Sequence, residues 1–227
     1  LDAHPDRTLG ARTMDCTVIA QEKTAQAFRN RPNTFKAQGD ETGANWEAIP
    51  GLGSVRWAPP EISFVERMIL YWGDTPILLE SHPGPSAGAL WVILPEEKVV
   101  FVGDAVTKGQ PPFLSYASLP EWIEALKLLQ EPAYKGFTII SGRGGVVTAQ
   151  VVRSQADILK RIHDKVEKLG SKKAAPAAVD KLADQLLKDF RAPAARQKQY
   201  AHRLRYGLNN YYARHYHSTS RHLLDEQ

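Results

Sequence analysis

Apolar residues in this chain follow two rhythms. In the middle they come in short runs: Ile62 to Val65, Met68 to Trp72, Pro76 to Leu79, Leu90 to Leu94 and Val99 to Val102. Runs of this length predict strands, and the intervening Gly73-Asp74-Thr75 and Pro95-Glu96-Glu97-Lys98 predict hairpins. The alternation is imperfect because nearly every position is apolar. Such strands are expected to meet a partner sheet on one face and, in part, helices on the other. Asp15 to Ala20 and Phe137 to Ile140 predict two further strands, the first burying Cys16 as a small core residue.

Elsewhere the period is that of a helix. Glu22 to Asn30 places Ala25 and Phe28 on one face. Ser118-Leu119-Pro120-Glu121 reads as a capped start, with Ser118 as N-cap, an early proline and Glu121 completing a capping box; Trp122, Leu126 and Leu129 form the stripe behind it. Val151, Ile158, Ile162, Val166 and Leu169 predict a long amphipathic helix stopped by Gly170. After the linker Lys172 to Pro176, Val179, Leu182, Leu186, Leu187 and Phe190 predict a second helix. Tyr200, Leu204, Leu208 and Tyr211 line one side of a third, from Ala194 to about Tyr212. Between Arg31 and Pro60 no periodicity survives, and that stretch is expected to pack over the body as a loop.

Four short motifs add chemistry. Asp2-Ala3-His4-Pro5-Asp6-Arg7 precedes a short helical stretch, Pro83-Gly84-Pro85-Ser86-Ala87-Gly88 is a turn, Val99 to Val102 ends in Gly103-Asp104, and Thr138 to Ser141 ends in Gly142-Arg143-Gly144. In this order, across roughly residues 1 to 165, they resemble the metallo-β-lactamase superfamily. That family carries a His-x-His-x-Asp-His loop, a Pro-Gly-His-Ser-x-Gly turn, a strand ending in Gly-Asp and a late strand ending in Gly-His-Gly. The resemblance implies an α/β (α+β) fold: an αββα sandwich over residues 1–170, followed by a basic helical extension over 171–227. It also implies strands before the first motif. The chain starts at that motif, on Leu1 and not on a methionine, so upstream residues are expected and the fold is N-terminally incomplete.

The resemblance further implies where metal would sit. The first metal position would face Asp2, His4 and Pro85, the second Asp6, Arg7 and Arg143, with Asp104 as the bridge. Proline offers no side-chain donor atom. A guanidinium stays protonated at neutral pH and has no lone pair to give. The second position is therefore lost on chemical grounds. Two carboxylates left close together without a counter-charge would raise each other's pKa; Arg7 and Arg143 would neutralise Asp6 and Asp104 by bidentate pairing. The expectation is an arginine–aspartate cluster in the second metal's place, while Asp2, His4 and Asp104 would hold at most one zinc, iron or manganese ion, weakly. Each residue also has a plain structural reading: Asp6 as a cap of the following helix, His4 as a hydrogen-bonded loop histidine, Gly142 and Gly144 as a tight turn, His82 as a surface or hinge residue.

Composition narrows the field. With 227 residues and 43% apolar content the chain is an ordinary globular one. No run of about 18 apolar residues suggests a membrane span, and a cytoplasmic location is expected. A single cysteine excludes an internal disulfide. Residues 1–150 hold 13 Lys+Arg against 17 Asp+Glu, net −4, and residues 151–227 hold 16 against 8, net +8. The basic tail suits an acidic partner, though such charge also covers the solvated face of helices, the reading given to Arg214-His215-Tyr216-His217. Its apolar stripe must pack on the body or on a second copy of the chain. Three functions follow. The first is a binding or scaffolding protein on a degenerate metallo-β-lactamase fold, taking a small molecule or an acidic partner. The second is a metal-dependent hydrolase of an ester, thioester, lactone or phosphoester with an altered mononuclear site, in which Asp6, Arg7 and Arg143 do the catalytic work. The third, ranked last, is nucleic-acid binding through the tail.

Overall fold

The computed structural model describes residues 1–30, 41–43, 49–51 and 55–216. Most of the expected loop between Arg31 and Pro60 lies outside the described residues, as does His217. The chain opens with a one-turn helix α1 (Pro5–Thr8) and a 3-10 turn (Leu9–Thr13), followed by β1 (Ile19–Gln21), α2 (Glu22–Asn30) and β2 (Ile62–Phe64). β1 and β2 pair in parallel, Ile19 opposite Ile62. Then come β3 (Arg67–Tyr71), β4 (Pro76–Ser81), β5 (Leu90–Leu94), β6 (Val99–Gly103), α3 (Leu119–Leu128), β7 (Thr138–Ser141) and β8 (Gly145–Val147), the strands forming a second sheet in sequence order. Neighbours in it are antiparallel except β6 and β7, which are parallel and need the long crossover that α3 supplies.

In the central strands the near-continuous apolar runs are explained by cover on both faces, whereas β3 alternates exposed and half-buried positions. In β5, Leu90 and Val92 point to the smaller sheet, where they meet Phe64, Leu79, Ile19 and Met68. Trp91 and Ile93, one residue out of phase, join Val100, Val102 and Ile139 under the helices. The result is a mixed α/β sandwich of two sheets clothed by helices. Trp122 of α3 sits at its centre, fully buried, with its indole N–H donating to Ala105 O at 2.9 Å. A Cβ added at Gly84 would lie 3.1 Å from the same ring, so the turn at residues 83–88 packs flush on α3.

Three helices complete the described chain: α4 (Ala149–Ser171), α5 (Pro176–Leu187) and α6 (Gln197–Tyr216). Val179, Leu182 and Leu186 of α5 and Leu204, Leu208 and Tyr211 of α6 belong to the same core cluster as the sheet. At about 1.5–3 kcal/mol for each fully buried large apolar side chain, this packing holds the helices down firmly. Tyr212 adds bonds from its hydroxyl to Leu169 O and Ala174 O, at 3.2 and 3.0 Å. Among the described residues no helix is long and apolar enough to cross a membrane.

Several local expectations are corrected. Cys16 is exposed, because the strand is confined to Ile19–Gln21, the three residues that find partners in β2. Ser118 is at the N-cap, but its hydroxyl makes no capping bond and Glu121 is exposed, so no capping box forms. The backbone does the work instead: Trp122 N–H donates to Ser118 O at 2.9 Å, and Ser118 N–H to Gly84 O at 3.0 Å. Gly170 lies inside the last turn of α4 and does not stop it; its lack of a Cβ makes room for the Tyr216 ring. Arg214 turns inward from the tail and donates to Ser115 O at 2.6 Å, so that part of the helix end is not a solvated face.

Candidate functional site

The four motifs converge at one end of the sandwich. His4 is the N-cap residue of α1, with extended backbone and Pro5 at the first helical position, where a missing N–H costs nothing. Asp2 Oδ1 accepts from His4 N and lies 2.9 Å from His4 Nδ1; both side chains are buried. Asp6, in the first turn of α1, is therefore not the cap. Thr8 ties the turn down, donating to His4 O at 3.0 Å and accepting from the Trp57 indole at 2.9 Å.

The second and third segments arrive on adjacent strands. Gly103, at φ +57, ends β6 in a conformation that suits glycine, and the turn places Asp104 in the interior at 1% exposure. Gly142 N–H donates to Gly103 O at 2.7 Å, and a Cβ at Gly142 would lie 2.7 Å from Asp104 Oδ1. Only glycine lets the two strand ends approach this closely. Ser141 Oγ bonds Val106 O at 2.5 Å and accepts from Arg143 N at 3.0 Å, fixing the start of the Arg143 side chain.

Arg143 then spans the site. Its Nε lies 2.8 Å from Asp104 Oδ2 and its Nη2 2.7 Å from Asp6 Oδ2. Arg7 donates to Gly142 O and stands 3.8 Å from Asp104 Oδ1. All six residues singled out from the sequence (Asp2, His4, Asp6, Arg7, Asp104 and Arg143) thus meet in one cluster. Pro85, the seventh position, is buried in its turn and contributes no donor atom.

The structure adds three residues that pattern reading missed. Phe113, fully buried, lies between two guanidinium groups, Arg143 at 4.4 Å and Arg203 at 4.2 Å from its ring centre, with the His4 ring at 4.4 Å. Arg203, 2% exposed, comes from α6 and bonds Gln110 Oε1 and Pro111 O, both at 3.2 Å. Glu41, 1% exposed, accepts from Leu114 N and Ser115 N at 2.5 and 2.9 Å. Arg203 left a trace in the sequence: with Gly207 it completes the apolar stripe of Tyr200, Leu204, Leu208 and Tyr211, and a charge on such a stripe demands a buried partner. Glu41 lies in the aperiodic stretch and left none.

The electrostatics follow from burial and pairing. Burial alone would lower the His4 pKa, but the charge and hydrogen bond of Asp2, with Asp104 and Glu41 behind it, raise it to about 9. Asp2 feels the reverse: burial pushes it up, and His4 outweighs that and holds it well below the usual carboxylate range. Asp104 is pushed up by burial and by Asp2, against the pull of Arg143 and His4. Glu41 is raised by burial, against His4 and its two backbone donors. Burial and Arg143 together lower Arg203 to about 10. Four carboxyl groups (Asp2, Asp6, Glu41, Asp104) thus share the region with four basic ones (His4, Arg7, Arg143, Arg203).

This donor set does not fit a two-metal centre: beyond Asp2, His4 and Asp104 the cluster offers one further carboxylate, Asp6, already paired with Arg143, and guanidinium groups that have no lone pair to give. A single cation is a different matter. Asp2, His4 and Asp104 each present a ligand atom, all within 4.8 Å of one another, and Asp104 Oδ1 is buried without a hydrogen-bond partner among the described residues. These three could hold one ion, after displacing the proton that His4 shares with Asp2.

Comparison with known proteins agrees with this topology. No curated protein matches the chain. Among solved structures, it is similar to a metallo-beta-lactamase from Pontibacter korlensis (18% identity, TM-score 0.51, 70% of this chain and 66% of that one). A metallo-beta-lactamase family protein from Thermus thermophilus gives 20% identity, TM-score 0.51, and 88% and 66% coverage. A stereoselective inverting sec-alkylsulfatase from Pseudomonas sp. gives 11% identity and TM-score 0.61, covering 100% of this chain, tail helices included, and 42% of its own. The chain thus spans less than two thirds of each, and at these identities the likeness is one of fold. The sequence model of the metallo-beta-lactamase superfamily matches residues 4–137, more than half of the chain, and to that superfamily the chain belongs.

Proposed function

We propose that this chain is a metallo-β-lactamase-fold domain in which ion pairs have replaced the two-metal centre, and that it acts by binding and not by two-metal hydrolysis. The observation that supports this reading is the double engagement of Arg143 with Asp104 and Asp6, at 2.8 and 2.7 Å, among the residues that the family's motif order would assign to the second metal. A cation cannot enter that seat without expelling a guanidinium from two carboxylates. The test is elemental analysis of the purified chain for zinc, iron and manganese. Far less than one equivalent is expected. A full equivalent that disappears in His4→Ala, together with hydrolytic activity, would sink the proposal.

One observation favours a second reading. Asp2, His4 and Asp104 form a compact donor group with an unpartnered carboxylate oxygen. They would hold a single zinc, iron or manganese ion, whose chemistry is to lower the pKa of a bound water towards 7. Beside it, Arg7 and Arg143 would steady an anionic group and Asp6 would orient Arg143. A panel of esters, thioesters, lactones and phosphoesters, with a secondary alkyl sulfate added because of the likeness to the sulfatase, assayed with Zn²⁺ and Mn²⁺, separates the two readings. Turnover abolished by Asp104→Asn supports the mononuclear hydrolase; silence across the panel supports the binding domain.

A further inference from the structure

A cavity of about 160 Å³ is lined in part by His4 of the ion cluster. Its walls are small and mostly apolar, with Ala27 of α2 on one side and the Tyr116 ring on the other. Two cationic side chains line it: Lys23, in the first turn of α2, and the half-buried Arg214 of α6. Arginine carries five N–H donors, and Ser115 O takes one of those of Arg214. Ser86 also lines the cavity; it is 8% exposed, and its hydroxyl is buried without a hydrogen-bond partner among the described residues. A buried hydroxyl left unpaired costs about 1–3 kcal/mol, so such groups ordinarily have a partner.

We propose that this cavity binds a small organic anion: a carboxylate with a short apolar or aromatic body, its charged end between Lys23, Arg214 and the Ser86 hydroxyl and its body against Ala27 and Tyr116. The inference goes beyond the reading of the metal seat and does not depend on it. The ligand class follows from three features. The half-buried Arg214 guanidinium and the exposed Lys23 ammonium, both lining the cavity, select an anion. Apolar walls disfavour a bare, strongly hydrated one. The volume, below the about 300–1,000 Å³ of drug-sized pockets, excludes a peptide or a nucleic-acid strand.

Calorimetric titration of the full chain tests this, after stripping with a chelator and dialysis so that a metal-held carboxylate does not imitate the site. The probes are benzoate, benzyl alcohol and inorganic sulfate. Benzoate is expected to bind with a Kd of about 1 mM or tighter, and the alcohol and sulfate at least about tenfold more weakly. Lys23→Gln and Arg214→Gln should each weaken benzoate about tenfold. Because Arg214 also holds Ser115 O, Ala27→Leu serves as a second variant: it adds bulk at an apolar lining position and should abolish binding while its thermal melt shows a folded chain. No binding of benzoate, binding of sulfate as tight as that of benzoate, or benzoate binding unchanged in Ala27→Leu overturns the proposal.

Discussion

Replacing Arg143 with alanine probes the ion cluster most directly. Its side chain is 11% exposed and that of Asp104 1%. Removing the guanidinium takes the hydrogen bond from Asp104 Oδ2, and the other oxygen has no hydrogen-bond partner among the described residues, with only the half-exposed Arg7 at 3.8 Å left to offset the charge. Breaking a buried pair from one side costs about 3–5 kcal/mol when the remaining charge is poorly compensated. Loss of the contact over Phe113 at 4.4 Å adds about 0.5–2 kcal/mol. A loss of about 4 kcal/mol is a large part of the about 5–15 kcal/mol that holds an ordinary domain together. The assay is urea unfolding followed by the fluorescence of the five tryptophans. Two controls make it decisive. Arg161→Ala breaks an exposed pair with Asp189 and should cost no more than about 1 kcal/mol. Arg143→Ala combined with Asp104→Asn removes the stranded charge and should recover about 1–3 kcal/mol relative to the sum of the single changes. If Arg143→Ala costs no more than Arg161→Ala, the cluster does not hold the fold, and the reasoning from buried pairing is wrong.

Three further outcomes are expected. Gly207→Ala should destabilise by about 1–3 kcal/mol despite the higher helix propensity of alanine; the added Cβ would lie 2.5 Å from Glu41 Oε1, a carboxylate held by two backbone N–H groups, and a melting temperature equal to or above that of the parent refutes this. Glu41→Gln should change the pH dependence of stability: burial raises the folded pKa of Glu41 above the ordinary 4.5, so its contribution is fully present below 4.5 and is lost as pH rises through the folded value. The variant should therefore gain on the parent as pH climbs above 4.5, and parallel melting curves from pH 4 to 8 contradict the assignment. Joint replacement of Asp2, Arg7, Pro85 and Arg143 by histidine should convert the cluster into a zinc site, read as a zinc-dependent rise in melting temperature that the parent lacks; no rise in the refolded variant counts against the ligand positions assigned here.

How much the sequence disclosed depended on what each segment does. In the larger sheet the short edge strand Gly145–Val147, with two exposed residues, was not legible. The central strands were, because both faces carry apolar cover, so Leu90 and Trp91 are both apolar although they face opposite layers. The tail helices were legible from their stripes, for the same reason. The smaller sheet was legible in part: Ile62–Phe64 falls within the run expected to be a strand, but Ile19–Gln21 is a three-residue strand fixed by its partner across the chain and not by its own pattern, which is why Cys16 was misplaced. At the site, side chains identified by motif order came together, since each motif ends an element whose position the sandwich dictates. Glu41 and Arg203 escaped because their partners are backbone N–H groups, carbonyls and an aromatic ring, none of which carries a signature at a fixed spacing.

The arginines also act as staples between loops. Three segments meet here: residues 2–7, Gly103-Asp104 and Gly142-Arg143. Arg143 reaches from the third to Asp6 in the first and Asp104 in the second. Arg7 reaches back from the first to Asp104 and to Gly142 O. The third segment is thus tied to the other two by charge-assisted bonds, while the first and second meet through the longer Arg7–Asp104 ion pair at 3.8 Å; the Arg143–Asp104 pair, at 11% and 1% exposure, is screened least by salt. The bonds that hold these segments together run from guanidinium groups to the Asp6 and Asp104 carboxylates, so a change that frees either carboxylate must first give up the bonds that keep it in place.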